Sequence, residues 1–309
     1  MDLITLQKPL IFDALDPFNR EQVIALLEDG ADPNIEFEGI VPLRIAIRTN
    51  NAELVLLLLL NGANVCVEDA DIYNFLNEAV NSQTADRPGD TLAIIELLLA
   101  YGLNPNKLPH NGHLAFECLL CCGLNYNNTK IKELTYLFLS HNAYQVAPAG
   151  KANPFVAAAA WADKKLMQAF LSAGASPNTQ DGWGITPLMN AAQKNRISTL
   201  KLLLDLGALV DTQSYTTKIT ALHSAASSGR DKALTVLLKA GARVDIQDNY
   251  GNTPLIQLLE NLELSHERLT DCAQLLVRAG ANYTTLKNNK QLTAQECARK
   301  RGIYLERLV

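Results

Sequence analysis

The chain has 309 residues, 48% of them hydrophobic and 19% charged, and that much apolar material excludes an intrinsically disordered polypeptide. Its net charge of -5 conceals a gradient: residues 1–100 carry 5 Lys/Arg against 17 Asp/Glu, a net -12, and the remainder carries 22 against 15, a net +7. Such polarity steers an approaching partner, whereas the one dense basic run, Arg299-Lys300-Arg301 with Arg307 nearby, is too short for a nucleic-acid groove.

Met1-Asp2-Leu3-Ile4-Thr5 lacks the basic start and cleavage site of a secretory signal. The longest apolar run, Leu54 to Leu60, is far short of the roughly 20 residues that cross a bilayer. A soluble, cytoplasmic monomer without membrane insertion is expected. From residue 30 onward one phrase recurs, Gly-Ala-x-x-(Asn/Asp): Gly30-Ala31-Asp32-Pro33-Asn34, Gly174-Ala175-Ser176-Pro177-Asn178, Gly207-Ala208-Leu209-Val210-Asp211 and Gly241-Ala242-Arg243-Val244-Asp245. Looser copies begin at Gly62, Gly102, Asn142 and Gly280, so the spacings in chain order are 32, 40, 40, 32, 33, 34 and 39 residues. A period near 33 specifies stacked units that pack on their neighbours. One repeat domain over 1–309 is expected, with 1–20 as an N-terminal cap and 286–309 as a C-terminal capping half-repeat.

The units that end at Gly102, Asn142 and Gly280 are six or seven residues too long. Their surplus falls between two helices, at residues 81–90, 123–129 and 261–268, where polar, turn-forming composition reads as mobile insertions. Between the first two of these lies Cys118-x-x-Cys121-Cys122, with His110 and His113 upstream and His141 downstream. This is the one cluster that suits a metal or a reactive thiol, since Cys118 and Cys122 share a helical face. Leu114, Phe116, Leu119 and Leu120 make the segment read equally as a buried helix whose thiols serve as small apolar groups. The other cysteines, Cys66, Cys272 and Cys297, read as reduced and buried. Further on, Asp181-Gly182-Trp183-Gly184-Ile185-Thr186-Pro187-Leu188-Met189-Asn190-Ala191-Ala192 starts with turn residues. It enters a helix with Thr186 as N-cap and Pro187 in the first turn, where a missing N–H costs nothing. A second helix, Ser198 to Leu206, repeats leucines at helical spacing and stops at Gly207. Thr220-Ala221-Leu222-His223-Ser224-Ala225-Ala226 and Asp248-Asn249-Tyr250-Gly251-Asn252-Thr253-Pro254-Leu255 repeat the first step, and Gly39-Ile40-Val41-Pro42-Leu43-Arg44-Ile45-Ala46 is a degenerate copy.

These motifs resemble the ankyrin repeat, whose consensus runs Asp-x-x-Gly-x-Thr-Pro-Leu-His-x-Ala-Ala and closes on Leu-Leu-x-x-Gly-Ala-Asp-x-Asn. The resemblance implies an all-α solenoid of helix-turn-helix units with hairpin loops, about eight units plus a terminal half-unit. It implies a concave groove lined by hairpin tips and first helices, to which Phe37, Arg48, Trp161, Trp183, Ile185, Lys194, Tyr250 and Asn252 align. It gives His223 a structural role against the adjoining hairpin. Asn34, Asn106 and Asn178 align with the hairpin asparagine that is hydroxylated in other members. The function implied is non-enzymatic binding of a partner protein, as adaptor, scaffold or effector, without cofactor or nucleic acid. Stand-alone arrays of this kind resemble both eukaryotic adaptor subunits and effectors that intracellular bacteria deliver into the host cytosol, and the sequence leaves both open. The alternative of another class is a metal protein or thiol enzyme built on Cys118, Cys121 and Cys122. No phosphate loop, His-Glu-x-x-His or Gly-x-Ser-x-Gly occurs in the chain.

Overall fold

The computed structural model describes residues 19–65, 75–81, 90–106, 115–121, 128–143 and 152–308. The chain divides into two compact units, Met1–Ala143 and Tyr144–Val309. Among the described residues both consist of helices, hairpins and turns, with isolated bridges such as Phe37 to Ile40 in place of strands. This is the all-α repeat architecture that the resemblance implies.

In the first unit α1 (Arg20–Glu28) precedes three pairs: α2 (Pro42–Arg48) with α3 (Ala52–Leu60), α4 (Phe75–Asn81) with α5 (Asp90–Ala100), and α6 (Ala115–Cys121) with α7 (Asn128–Ser140). First helices pack in the row α2, α4, α6 and second helices in the row α3, α5, α7. Leu54, Val55, Leu58, Ile94, Ile95, Leu98, Leu134 and Phe138 are sealed from solvent in the second row. Phe138 stacks on Phe116 across the third pair, ring centroids 5.1 Å apart. Arg44 Nε and Arg48 Nη2 each lie 3.2 Å from Glu78 Oε1, which ties α2 to α4 through a nearly buried carboxylate.

The second unit repeats the plan with α8 (Pro154–Ala158) and α9 (Lys164–Ser172), α10 (Pro187–Gln193) and α11 (Ile197–Asp205), α12 (Ala221–Ser227) and α13 (Asp231–Lys239), and α14 (Pro254–Glu260) and α15 (His266–Arg278). It ends on α16 (Ala294–Lys300) and a 3-10 turn, Leu305–Arg307. Helices of seven or nine residues are shorter than the roughly 12–15 that an isolated helix needs, so caps and stacking sustain them. Thr186, Thr220 and Thr253 each accept the N–H three residues on, from Met189, His223 and Ile256. Alanines 191, 192, 225 and 226 are buried between first helices, which lets α10, α12 and α14 approach closely. Second helices close on a left-handed residue: Gly207 has φ +84°, and Ala208 N–H reaches back to Leu203 O at 2.9 Å. Where the phrase starts with asparagine instead, Asn142 takes the same conformation at φ +56°, and Ala143 N–H meets Phe138 O at 3.0 Å.

The surplus of the long units is shared between loop and helix. Helices α5, α7 and α15 have 11, 13 and 13 residues against 9 in α9, α11 and α13. In 261–268 the loop covers only the first five residues, because Ser265 caps α15 and His266 begins it. That loop is tied on both sides, contrary to a plain insertion: Asn261 Nδ2 donates to Ser227 O at 2.6 Å, and Arg301 Nη1 donates to Asn261 O at 3.0 Å. Most of the other two insertions, residues 82–89 of 81–90 and 123–127 of 123–129, and residues 1–18 of the expected cap over 1–20 lie outside the described residues.

Candidate functional site

Four successive hairpins in the second unit are built alike. Asp181 N–H meets Ile185 O at 3.0 Å, and its carboxylate Oδ1 accepts the N–H groups of Trp183 (2.9 Å) and Ile185 (2.8 Å). Asp248 does the same with Asn252, Tyr250 and its own turn, and Asn288 with Leu292 and Lys290. In the second hairpin Ser214 replaces the aspartate, its hydroxyl accepting Ile219 N–H at 3.1 Å, and the turn is one residue longer. Burial pushes the Asp181 carboxyl above the usual carboxylate value, while the N–H groups of Ile185, Trp183 and Gly184 oppose the shift.

Each hairpin is then bonded to the next. Tyr215 N–H donates to Trp183 O (2.9 Å), Asn249 N–H to Thr217 O (3.0 Å) and Asn289 N–H to Tyr250 O (2.9 Å). A ladder of glutamines reinforces these links, with one amide donating to its own hairpin and to the following one. Gln180 reaches Gly184 O and Gln213 O (2.9 and 3.3 Å), Gln213 reaches Lys218 O and Gln247 O (2.7 and 3.2 Å), and Gln247 reaches Gly251 O and Lys287 O (2.7 and 3.1 Å). His223 anchors the base of this wall: Nδ1 accepts Thr220 N–H at 3.2 Å, and Nε2 donates to Asn252 O at 3.1 Å. Burial lowers its pKa and favours the neutral ring that this pairing requires.

The wall presents a run of exposed aromatics. Trp183 is 46% exposed and Tyr250 63%, at the tips to which they align. Tyr215, which the consensus alignment passes over, is 56% exposed on the hairpin between them, its hydroxyl donating to Gln180 Oε1 at 3.0 Å. Ile185 is half-buried within its turn, and Lys194 is exposed at the C-terminal end of α10. Trp161 is half-buried, and its carbonyl accepts a short hydrogen bond from Arg196. Asn252 does not belong to an open groove: it is buried, with its Oδ1 held by Asn288 Nδ2 at 3.0 Å. Phe37 and Arg48 belong to the first unit, where Phe37 is 42% exposed beside its bridge to Ile40 and Arg48 is engaged by Glu78.

Of the thiol cluster, Cys118 is buried with Asn77 Nδ2 3.9 Å from its sulfur. His141 lies at the surface with Nδ1 3.0 Å from Leu137 O. The side chain of Cys121, and Cys66, Cys122, His110 and His113, lie outside the described residues. Among the described residues no three His, Cys, Asp or Glu stand together as metal ligands. Burial, with Asp231 and Asp271 nearby, pushes the Cys272 thiol up to about 12, and burial raises Cys297 as well. Asn34 and Asn178, the aligned hydroxylation positions, hold adjacent repeats together by donating to Gly62 O and Gly207 O at 3.0 and 3.1 Å, and Asn106 donates to Asn142 O at 2.8 Å. No helix among the described residues is long and apolar enough to cross a membrane.

Among curated proteins none matches the chain. A family model for ankyrin repeats in three copies matches residues 155–248 and 212–287, and the single ankyrin repeat matches 38–70. These spans hold the Thr-Pro helices, glycine-closed second helices and the first three of the bonded hairpins described above, and the chain belongs to the ankyrin-repeat family.

Proposed function

We propose that the protein is a non-enzymatic binding module that holds a partner protein against the hairpin tips and first helices of its second unit, and so acts as adaptor, scaffold or effector. The supporting observation is the run Trp183, Tyr215, Tyr250: three large aromatics exposed on consecutive hairpins that hydrogen bonds fix to one another. Ankyrin repeats are in general protein-interaction modules, and exposed aromatics held rigid are the residue type that dominates interface energies. In this reading α1 is the second helix of a first repeat, the array comprises eight units and a half-unit, and the protein works as a monomer in the cytosol, a host cytosol in the effector case.

The test is affinity capture with the tagged full chain, followed by calorimetric titration of the captured partner against Trp183→Ala and Tyr250→Ala. Each exposed ring is expected to contribute about 2 kcal/mol, roughly thirtyfold in Kd. Unchanged affinity in the double variant refutes the assignment.

A further inference from the structure

The aromatic wall has a charge of one sign. In the hairpins 181–186, 214–220 and 248–253 and in helices α10, α12 and α14 the carboxylates are Asp181, Asp248 and Glu260. Asp181 and Asp248 are buried and turned onto the N–H groups of their own hairpins. Glu260 accepts Lys290 Nζ at 2.8 Å, which neutralises it. The cations of the same surface have no such partners among the described residues: Lys218 is exposed on the Tyr215 hairpin and Lys194 is exposed at the end of α10.

Two arginines add to them along the edge where the first helices end. Arg196 donates to the carbonyls of Trp161 and Ala162, and Arg230 Nε donates to Gln193 O at 3.0 Å. Both guanidinium groups are thus held by backbone carbonyls and not by carboxylates. Helix α10 is seven residues long, about 10 Å at 1.5 Å per residue, and it runs from the hairpin that carries Trp183 to the Lys194 edge.

We propose that this surface takes an acidic, extended polypeptide segment, whose apolar side chains lie on Trp183, Tyr215 and Tyr250 and whose carboxylates meet Lys194, Lys218, Arg196 and Arg230. The proposal rests on the tip reading above and adds the partner's chemistry. Charge complementarity selects a polypeptide over a nucleic-acid strand: four cations spread over two repeats match scattered carboxylates, whereas a phosphate backbone is held by a dense row of contacts.

The experiment follows fluorescence anisotropy of a short labelled peptide of alternating Glu and Leu titrated with the full chain. Lys-Leu and Ser-Leu peptides and an oligothymidine of equal length are run beside it. The Glu-Leu peptide is expected to bind tightest and to weaken about tenfold or more as salt rises from 0.1 M to 1 M, where the screening length falls from about 10 Å to about 3 Å. The double variant Lys194→Glu/Lys218→Glu is expected to weaken it about tenfold, and its thermal unfolding serves as the fold control. No binding of the Glu-Leu peptide, equal binding of the Lys-Leu peptide, tighter binding of oligothymidine, or indifference to the charge reversal each overturns the proposal. Trp183→Ala separates the two readings. If it weakens every peptide while charge reversal weakens none, the tip reading stands and the acidic partner falls; if neither substitution matters, both fall.

Discussion

Gly184→Ala tests whether the hairpins are locked together as described, because two separable costs meet at that residue. Gly184 has φ +79°, a left-handed conformation that costs a residue with a Cβ about 1–2 kcal/mol. The added carbon would also stand 2.3 Å from Tyr215 N and 2.7 Å from Tyr215 Cγ, a backbone atom and the root of a ring. Neither can swing aside, so the second hairpin must move, and the Tyr215 N–H to Trp183 O bond that joins the two hairpins is lost. A bond of that kind contributes about 0.5–1.5 kcal/mol, and the Gln180 amide spans the same gap. The expected loss is about 1.5–3.5 kcal/mol. Gly207→Ala is the control in the same unit, since Gly207 has φ +84° and open space, with nothing within 4 Å, where a methyl group would stand, and it should lose only the conformational part. Urea denaturation followed by tryptophan fluorescence reports this unit, which contains both Trp161 and Trp183. If Gly184→Ala costs no more than Gly207→Ala, the contact between hairpins is not what holds them.

His223 accepts at Nδ1 and donates at Nε2 only as a neutral ring, and burial holds its pKa below 6.5. The unfolded chain therefore takes up a proton that the folded chain refuses. Stability is expected to fall as pH drops below 6.5 toward the folded value, and His223→Gln should flatten that part of a urea midpoint measured against pH. Cys272, sealed from solvent with its thiol pushed up to about 12, is expected to resist iodoacetamide at about pH 8 in native protein and to react in urea, as peptide mass spectrometry would show. Lys218 occupies the left-handed position of its turn at φ +58°, so Lys218→Gly should stabilise the chain, by about 0.5 kcal/mol once the flexibility of glycine is subtracted. Thr186→Ala removes the cap that accepts Met189 N–H at 3.2 Å and is expected to cost about 1 kcal/mol in the same denaturation assay.

Helix boundaries were readable where a residue type has one physical use. Thr186 and Pro187 mark the start of α10, and Gly207 marks the end of the helix before it, to within a residue of the observed Pro187–Gln193 and Ile197–Asp205. Ser265 carried the same kind of signal, yet the surplus around it reads as loop because repeat spacing says how many residues are extra and not which become helical. Tyr215 is missed for a related reason. Its hairpin has Ser214 for the aspartate, Lys218 for the glycine and one residue more, so alignment on Gly-x-Thr-Pro slides past it. Asn252 fails differently: it aligns with a surface position, but it is buried, and Asn288, which holds its Oδ1, lies 36 residues away. Contacts between repeats are invisible to a pattern read within one repeat.

Those same contacts decide what the surface can do. A tyrosine or tryptophan on a loose loop must be ordered when a partner binds, at about 0.5–1.5 kcal/mol for each side chain immobilised. Here the backbone of Trp183 accepts from Tyr215, the Tyr215 hydroxyl is held by Gln180, and Gln180 also grips the two hairpins that carry these rings. The groups that stabilise the stack are therefore the groups that present its aromatics in advance of binding. Gln180→Ala should accordingly weaken a partner that touches Tyr215 without itself contacting that partner, and more than Gln247→Ala, which loosens the Tyr250 hairpin at Gly251 and leaves the Tyr215 hydroxyl held. An equal effect of the two would mean that the ladder serves stability alone.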